Sequence, residues 1–144
     1  MFLCTGGEVD ILESDIWGQQ PPYEPHAAYH WSHQAAPCFH DFTNKNDGAA
    51  LKSPKGYNFS AAFHTYSATL TPRAIFFAVD GVTYLTVTSA DAESNLPKTP
   101  MYLILGNQLW GAWDYPTELP ADFEIDWVKA WVPDDCDNRP DHCA

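Results

Sequence analysis

The chain has 144 residues, 45% of them hydrophobic and 15% aromatic, enough to bury most of its apolar surface as one domain without a metal or a cross-link. Seven basic against nineteen acidic residues give a formal net charge of -12, which repels nucleic acid and anionic membrane surfaces and favours a neutral partner. No apolar run approaches the ~18 residues of a membrane span, and "MFLC" is too short for the apolar part of an export signal.

Twelve prolines and eight glycines interrupt the chain too often for long helices, so strands are expected to dominate. The first is Glu8 to Glu13, which carries three acids, Glu8, Asp10 and Glu13, in an otherwise apolar run. On a regular strand Glu8 and Asp10 share a face and Glu13 points away. One extra residue between Asp10 and Glu13, a bulge, restores the parity and brings all three carboxyls together. Neighbouring acids then stand roughly 5 to 7 Å apart, and the nucleophile and acid of a retaining glycosidase stand about 5 to 5.5 Å apart. Like charges this close also split their pKa values, giving an ionised nucleophile beside a protonated acid. The alternative is an edge strand with a solvated acidic face.

Further along, strands are expected at Ala27 to Trp31, Ala61 to Leu70, Ala74 to Val79, Val82 to Val87, Met101 to Leu105 and Phe123 to Trp131, all rich in aromatic or β-branched residues. Asp80-Gly81 between two of them is a hairpin signal, because both positions of a type I′ turn need positive φ. Ser14 to Ala27 and Pro37 to Asn58 are Pro-, Gly-, Asn- and His-rich and read as long loops, where binding residues concentrate. Alternation in "FEIDWVKAW" gives a strand mixed on both faces, with Trp127 and Trp131 read as core in preference to sugar platforms and Asp126 as a buried hydrogen-bonding acid in preference to a groove residue. Indole faces can stack on the apolar C–H faces of pyranose rings and bury ample area in doing so.

Cys136 and Cys143 lie in a polar tail, residues 134–144, as a natural terminal disulfide loop, and Cys4 and Cys38 are the other candidate pair. His142 beside Cys143 raises zinc as the competing reading, which the lack of a C-x-x-C partner disfavours. Asn58-Phe59-Ser60 matches the N-glycosylation pattern. These features lean towards an extracellular protein, and with no export signal at Met1 the natural chain is expected to begin further upstream.

"GEVDILE" resembles the E-x-D-x-x-E motif of glycoside hydrolase family 16, the β-jelly-roll enzymes that include laminarinases and related endo-β-1,3-glucanases. "AAYHW", "FHTYSATLTPRAIFFAVDGV", "LILGNQLWGAW" and "LPADFEIDWVKAW" resemble later landmarks of that family in the same order, so the likeness runs from Gly6 to Trp131. It implies an all-β antiparallel sandwich, a concanavalin-like jelly roll, over residues 1–133. It implies Glu8 as nucleophile, Asp10 as assisting carboxylate and Glu13 as general acid and base, with no cofactor. His30, Trp31, His64, Trp110 and Trp113 become candidate substrate contacts, while His30, Trp31 and His64 also fit structural roles. No ligand set for a metal stands out.

Two departures accompany the resemblance. Leu70 stands where the family has tryptophan before Thr-Pro. The motif also begins seven residues from Met1, whereas family members place several strands before it. The expectation is a jelly roll lacking its N-terminal strands: a fragment, a half-domain completed by copies or a partner, or a relative that keeps the motif without turnover.

Overall fold

The computed structural model describes residues 7–13, 26–31, 41–43, 59, 61–92, 96–106 and 122–132. Six strands appear there and no helix: β1 (Glu8–Glu13), β2 (His26–Trp31), β3 (Asp41–Thr43), β4 (Tyr66–Leu70), β5 (Ala74–Val79) and β6 (Val82–Thr88). They form two antiparallel sheets of three, ordered β1-β2-β3 and β4-β5-β6. The chain is all-β, as the proline and glycine spacing requires.

Alternation along the strands builds the core that the two sheets share. Ala27 and Tyr29 of β2 meet Ile75 and Phe77 of β5 and Leu85 and Val87 of β6, with Ala92 and Leu96 closing the cluster. Val9, Ala68 and Tyr84 pack on its edge, and β1 lies against β4. Burying one such side chain contributes about 1.5–3 kcal/mol, so these contacts dominate what holds the sheets together.

The β5–β6 connection is the two-residue turn Asp80-Gly81, with φ of 49° and 79°, both positive as the type I′ geometry demands. Its first residue is also a clamp. Asp80 accepts hydrogen bonds from the Thr65 backbone N–H at 2.9 Å and from Nδ1 of His64 at 2.8 Å, while its own N–H donates to the Thr65 carbonyl at 2.8 Å. The β4–β5 turn is tied similarly, Thr71 Oγ1 accepting from the N–H of Ala74 at 2.9 Å and donating to its carbonyl at 2.8 Å. Beyond β6, Asp91 accepts from the backbone N–H and the hydroxyl of Thr88.

Several expected boundaries change. Strand β3 lies inside the segment expected to be a loop, because it pairs with β2 opposite Tyr29, His30 and Trp31. Residues 61–65 stay outside β4: the Thr65 N–H is taken by the Asp80 side chain instead of a ladder carbonyl. A second bulge falls between Phe77 and Ala78, where Phe77 faces Leu85 and Ala78 faces Thr83. Tyr84 is the extra residue; its hydroxyl is buried without a hydrogen-bond partner, and burial pushes its pKa up to about 12.

The segments 101–106 and 122–132 correct the expectation most. They belong to no ladder, and Tyr102, Ile104, Trp131 and Val132 are at least 70% exposed. Trp127 and Trp131 are therefore not core residues and Asp126 is not buried. Period-two patterning identifies a chain able to form a strand, but a strand needs a neighbour's backbone groups, and none among the described residues supplies them. Lys129 Nζ lies 4.8 Å from the Trp127 ring centroid, a cation–π contact. No helix of the described residues is long and apolar enough to cross a membrane.

Candidate active site

Pairing of β1 with β2 fixes which side chains meet. Glu8 faces His30, Val9 faces Tyr29 and Asp10 faces Ala28, after which the register slips so that Glu13, not Leu12, faces position 26. Ile11 and Leu12 together oppose position 27, the geometry of a bulge. Glu8, Asp10 and Glu13 consequently share the face of Ala28 and His30, while Val9 and Tyr29 point into the core.

The start of this strand depends on close packing. A Cβ on Gly7 would lie 2.5 Å from Cε2 and Oη of Tyr29 and 2.8 Å from Cζ. Tyr29 is fully buried and cannot swing aside, and burial raises its phenol to about 12. Nothing in the sequence flagged this pair. A glycine just before an acidic strand was the available sign, but its partner is 22 positions away.

Ala28, 2% exposed, stands opposite Asp10 and leaves room for His30 to reach across. Nε2 of His30 donates to Oδ2 of Asp10 at 2.8 Å, with side chains 13% and 15% exposed respectively. Burial alone would lower the His30 pKa, but the hydrogen bond to Asp10 and the charges of Asp10, Glu8 and Glu13 hold it above the ordinary histidine value. The Glu8 carboxyl is raised, first by burial and then by the Asp10 charge, with His30 acting in the opposite direction and Glu13 adding to the rise.

One side-chain ligand atom from each of Asp10, Glu13 and His30 lies within 4.8 Å of the other two. A cation of the right size would reach these atoms, although the His30–Asp10 hydrogen bond already engages that pair.

His64 is tied to the β5–β6 hairpin through Asp80 and has edge-on ring contacts with Phe59 at 5.3 Å and Tyr66 at 6.4 Å. The Asp80 carboxyl is lowered chiefly by the Thr65 backbone hydrogen bond and next by His64. Trp31 ends β2 opposite Asp41; its side chain lies outside the described residues. Trp110, Trp113, Asn58, Cys4, Cys38, Cys136, Cys143 and the tail from 134 also lie outside them. The sequence brought forward Glu8, Asp10, Glu13 and His30, which the fold unites, but did not indicate that His30 bonds Asp10 or that His64 bonds Asp80.

Comparison with curated proteins and with solved structures finds no match. The family model described as "Glycosyl hydrolases family 16" matches residues 5–129, a span that contains the acid strand, both sheets and most of the exposed segments, and the chain belongs to that family.

Proposed function

We propose that the protein is a retaining, endo-acting glycoside hydrolase of β-1,3-linked or mixed-linkage glucan. The observation that carries this reading is the β1 bulge, which turns Glu13 onto the face of Glu8 and Asp10. In the first step a Glu8 carboxylate oxygen attacks the anomeric carbon, the glycosidic C–O bond breaks, and Glu13 delivers its proton to the leaving oxygen. In the second, Glu13 takes a proton from water, the water oxygen attacks the same carbon, and the bond to Glu8 breaks to free its carboxylate. Asp10 tunes both neighbours. Another sugar hydroxyl in place of water gives transglycosylation. No cofactor enters either step.

His30, Trp31, His64, Trp110 and Trp113 are proposed sugar contacts, supported by the family motif and by the stacking of aromatic faces on pyranose rings. The tail cysteines and the Asn58-Phe59-Ser60 pattern support secretion. The exposed apolar segments 101–106 and 122–132 support a surface covered by another copy or by a partner chain.

The test is reducing-sugar release from laminarin by the chain and by Glu8→Gln, with the first anomer formed identified by proton NMR. Release by the wild type, loss by at least about 100-fold in Glu8→Gln and initial retention of configuration are expected. A second reading, a glucan-binding protein without turnover, is favoured by exposed Trp127 and Trp131. It predicts release from neither protein and unchanged laminarin binding by both.

A further inference from the structure

We infer that Trp127, Lys129 and Trp131 form a glucan-binding face of their own, on which a neutral β-linked chain lies along residues 127–131. The choice of glucan rests on the hydrolase reading above; the face itself rests on where these three side chains stand. Residues 122–132 run without a turn or a bend and belong to no ladder. In such a chain residues two apart share a side, and the contact of Lys129 Nζ with the Trp127 ring shows that they do here. Trp131 continues the same row. The two indoles are 48% and 77% exposed. At about 3.3 Å per residue they stand roughly 13 Å apart, a span for a run of sugars rather than a single one.

Lys129 decides between occupants. Its ammonium lies over the Trp127 ring, between the two indoles in the row, and makes no ion pair with a described carboxylate. A dry protein contact at this spot must desolvate the ammonium and supply it with a carboxylate, and a second copy laid on by the same face brings a like charge instead. A sugar chain needs neither. Its C–H faces cover the indoles, its hydroxyls accept hydrogen bonds from the ammonium, and the contact stays wet, so no charge is buried. The formal net charge of -12 favours a neutral glycan over an anionic one. Val128, Ala130 and Val132, on the opposite side, carry no charge and are left for contact with another chain.

The test measures laminarin affinity by calorimetry with the full Glu8→Gln chain, which lacks the nucleophile, at about 0.01 M ionic strength, where copies repel one another. Trp127→Ala and Trp131→Ala, each added to that chain, are expected to weaken Kd about tenfold. Lys129→Met, which keeps the stem and removes the donor, is expected to weaken it about threefold. A second readout is quenching of tryptophan fluorescence by acrylamide, which laminarin reduces by covering the indoles. Trp127→Phe combined with Trp131→Phe keeps the stacking surface, so affinity is largely retained while this protection shrinks.

Absence of laminarin binding, unchanged affinity in both alanine variants, or undiminished protection in the phenylalanine pair overturns the face, and the last two leave the hydrolase reading intact. Alanine variants that change the sedimentation mass but not the affinity assign the face to another copy and overturn it as well. An inactive wild type that still loses laminarin affinity in these variants overturns the hydrolase reading and supports the face. If the alanine variants do not fold, the phenylalanine pair decides.

Discussion

Gly7 and Tyr29 set the level at which the acid strand enters its sheet. Tyr29 fills the core under β1, and only a residue without a side chain lets the backbone pass its ring. In Gly7→Ala the new methyl meets a buried ring at 2.5 Å, and overpacking of this kind costs about 1–3 kcal/mol. Denaturant titration should show that loss, and Tyr29→Val in the same background should return part of it, since the two substitutions share one contact. Equal losses with and without the tyrosine would remove the clash as the cause. The contrast with the acids is instructive. Glu8, Asp10 and Glu13 could be grouped from the chain because strand parity and one bulge are local rules, whereas the Gly7–Tyr29 contact and the His30–Asp10 bond join different strands and depend on register.

At the scale of elements, the turns were the most legible features. Asp80-Gly81 specifies its hairpin because few residue pairs accept positive φ in succession, and the structure has 49° and 79° there. Asp80 adds a second function, holding Thr65 and His64 at the end of β4. Asp80→Ala loses both tolerance of the left-handed region and the clamp, a cost of about 1–2 kcal/mol; Asp80→Asn keeps the first and should fall between. Because the folded carboxyl is lowered, its contribution is present above the unfolded value of about 3.9 and is lost as pH falls through the folded value. The carboxylate is exposed, so this contribution should be small and reduced by salt. Thermal melts of wild type and Asp80→Asn between pH 2 and 7 should converge at the acidic end; a constant gap would assign the clamp to geometry alone. Strand β3 and the Tyr84 bulge were not legible, because three residues carry too little period and a slip of register leaves no mark in composition.

For the whole molecule, apolar content was legible but its placement was not. Met101 to Leu105 and Phe123 to Trp131 have the residues of buried strands, yet Tyr102, Ile104 and Trp131 are 75%, 73% and 77% exposed. Water contact over such segments is unfavourable by roughly 25 cal/mol for each Å² of apolar area, so covering them favours association. A formal net charge of -12 on every copy opposes it. These two effects respond differently to salt: the Debye length shortens from about 30 Å at 0.01 M to about 8 Å at 0.15 M, which weakens repulsion between copies and leaves apolar contact nearly untouched. Sedimentation at micromolar concentration should therefore give a mass near that of one chain at low ionic strength and a larger mass as sodium chloride is added. Ile104→Asp combined with Trp131→Asp removes apolar area and adds charge, and should keep the chain monomeric throughout. A monomer at every salt concentration would mean that copies do not cover these segments, leaving a heterologous chain or the polysaccharide as their partner.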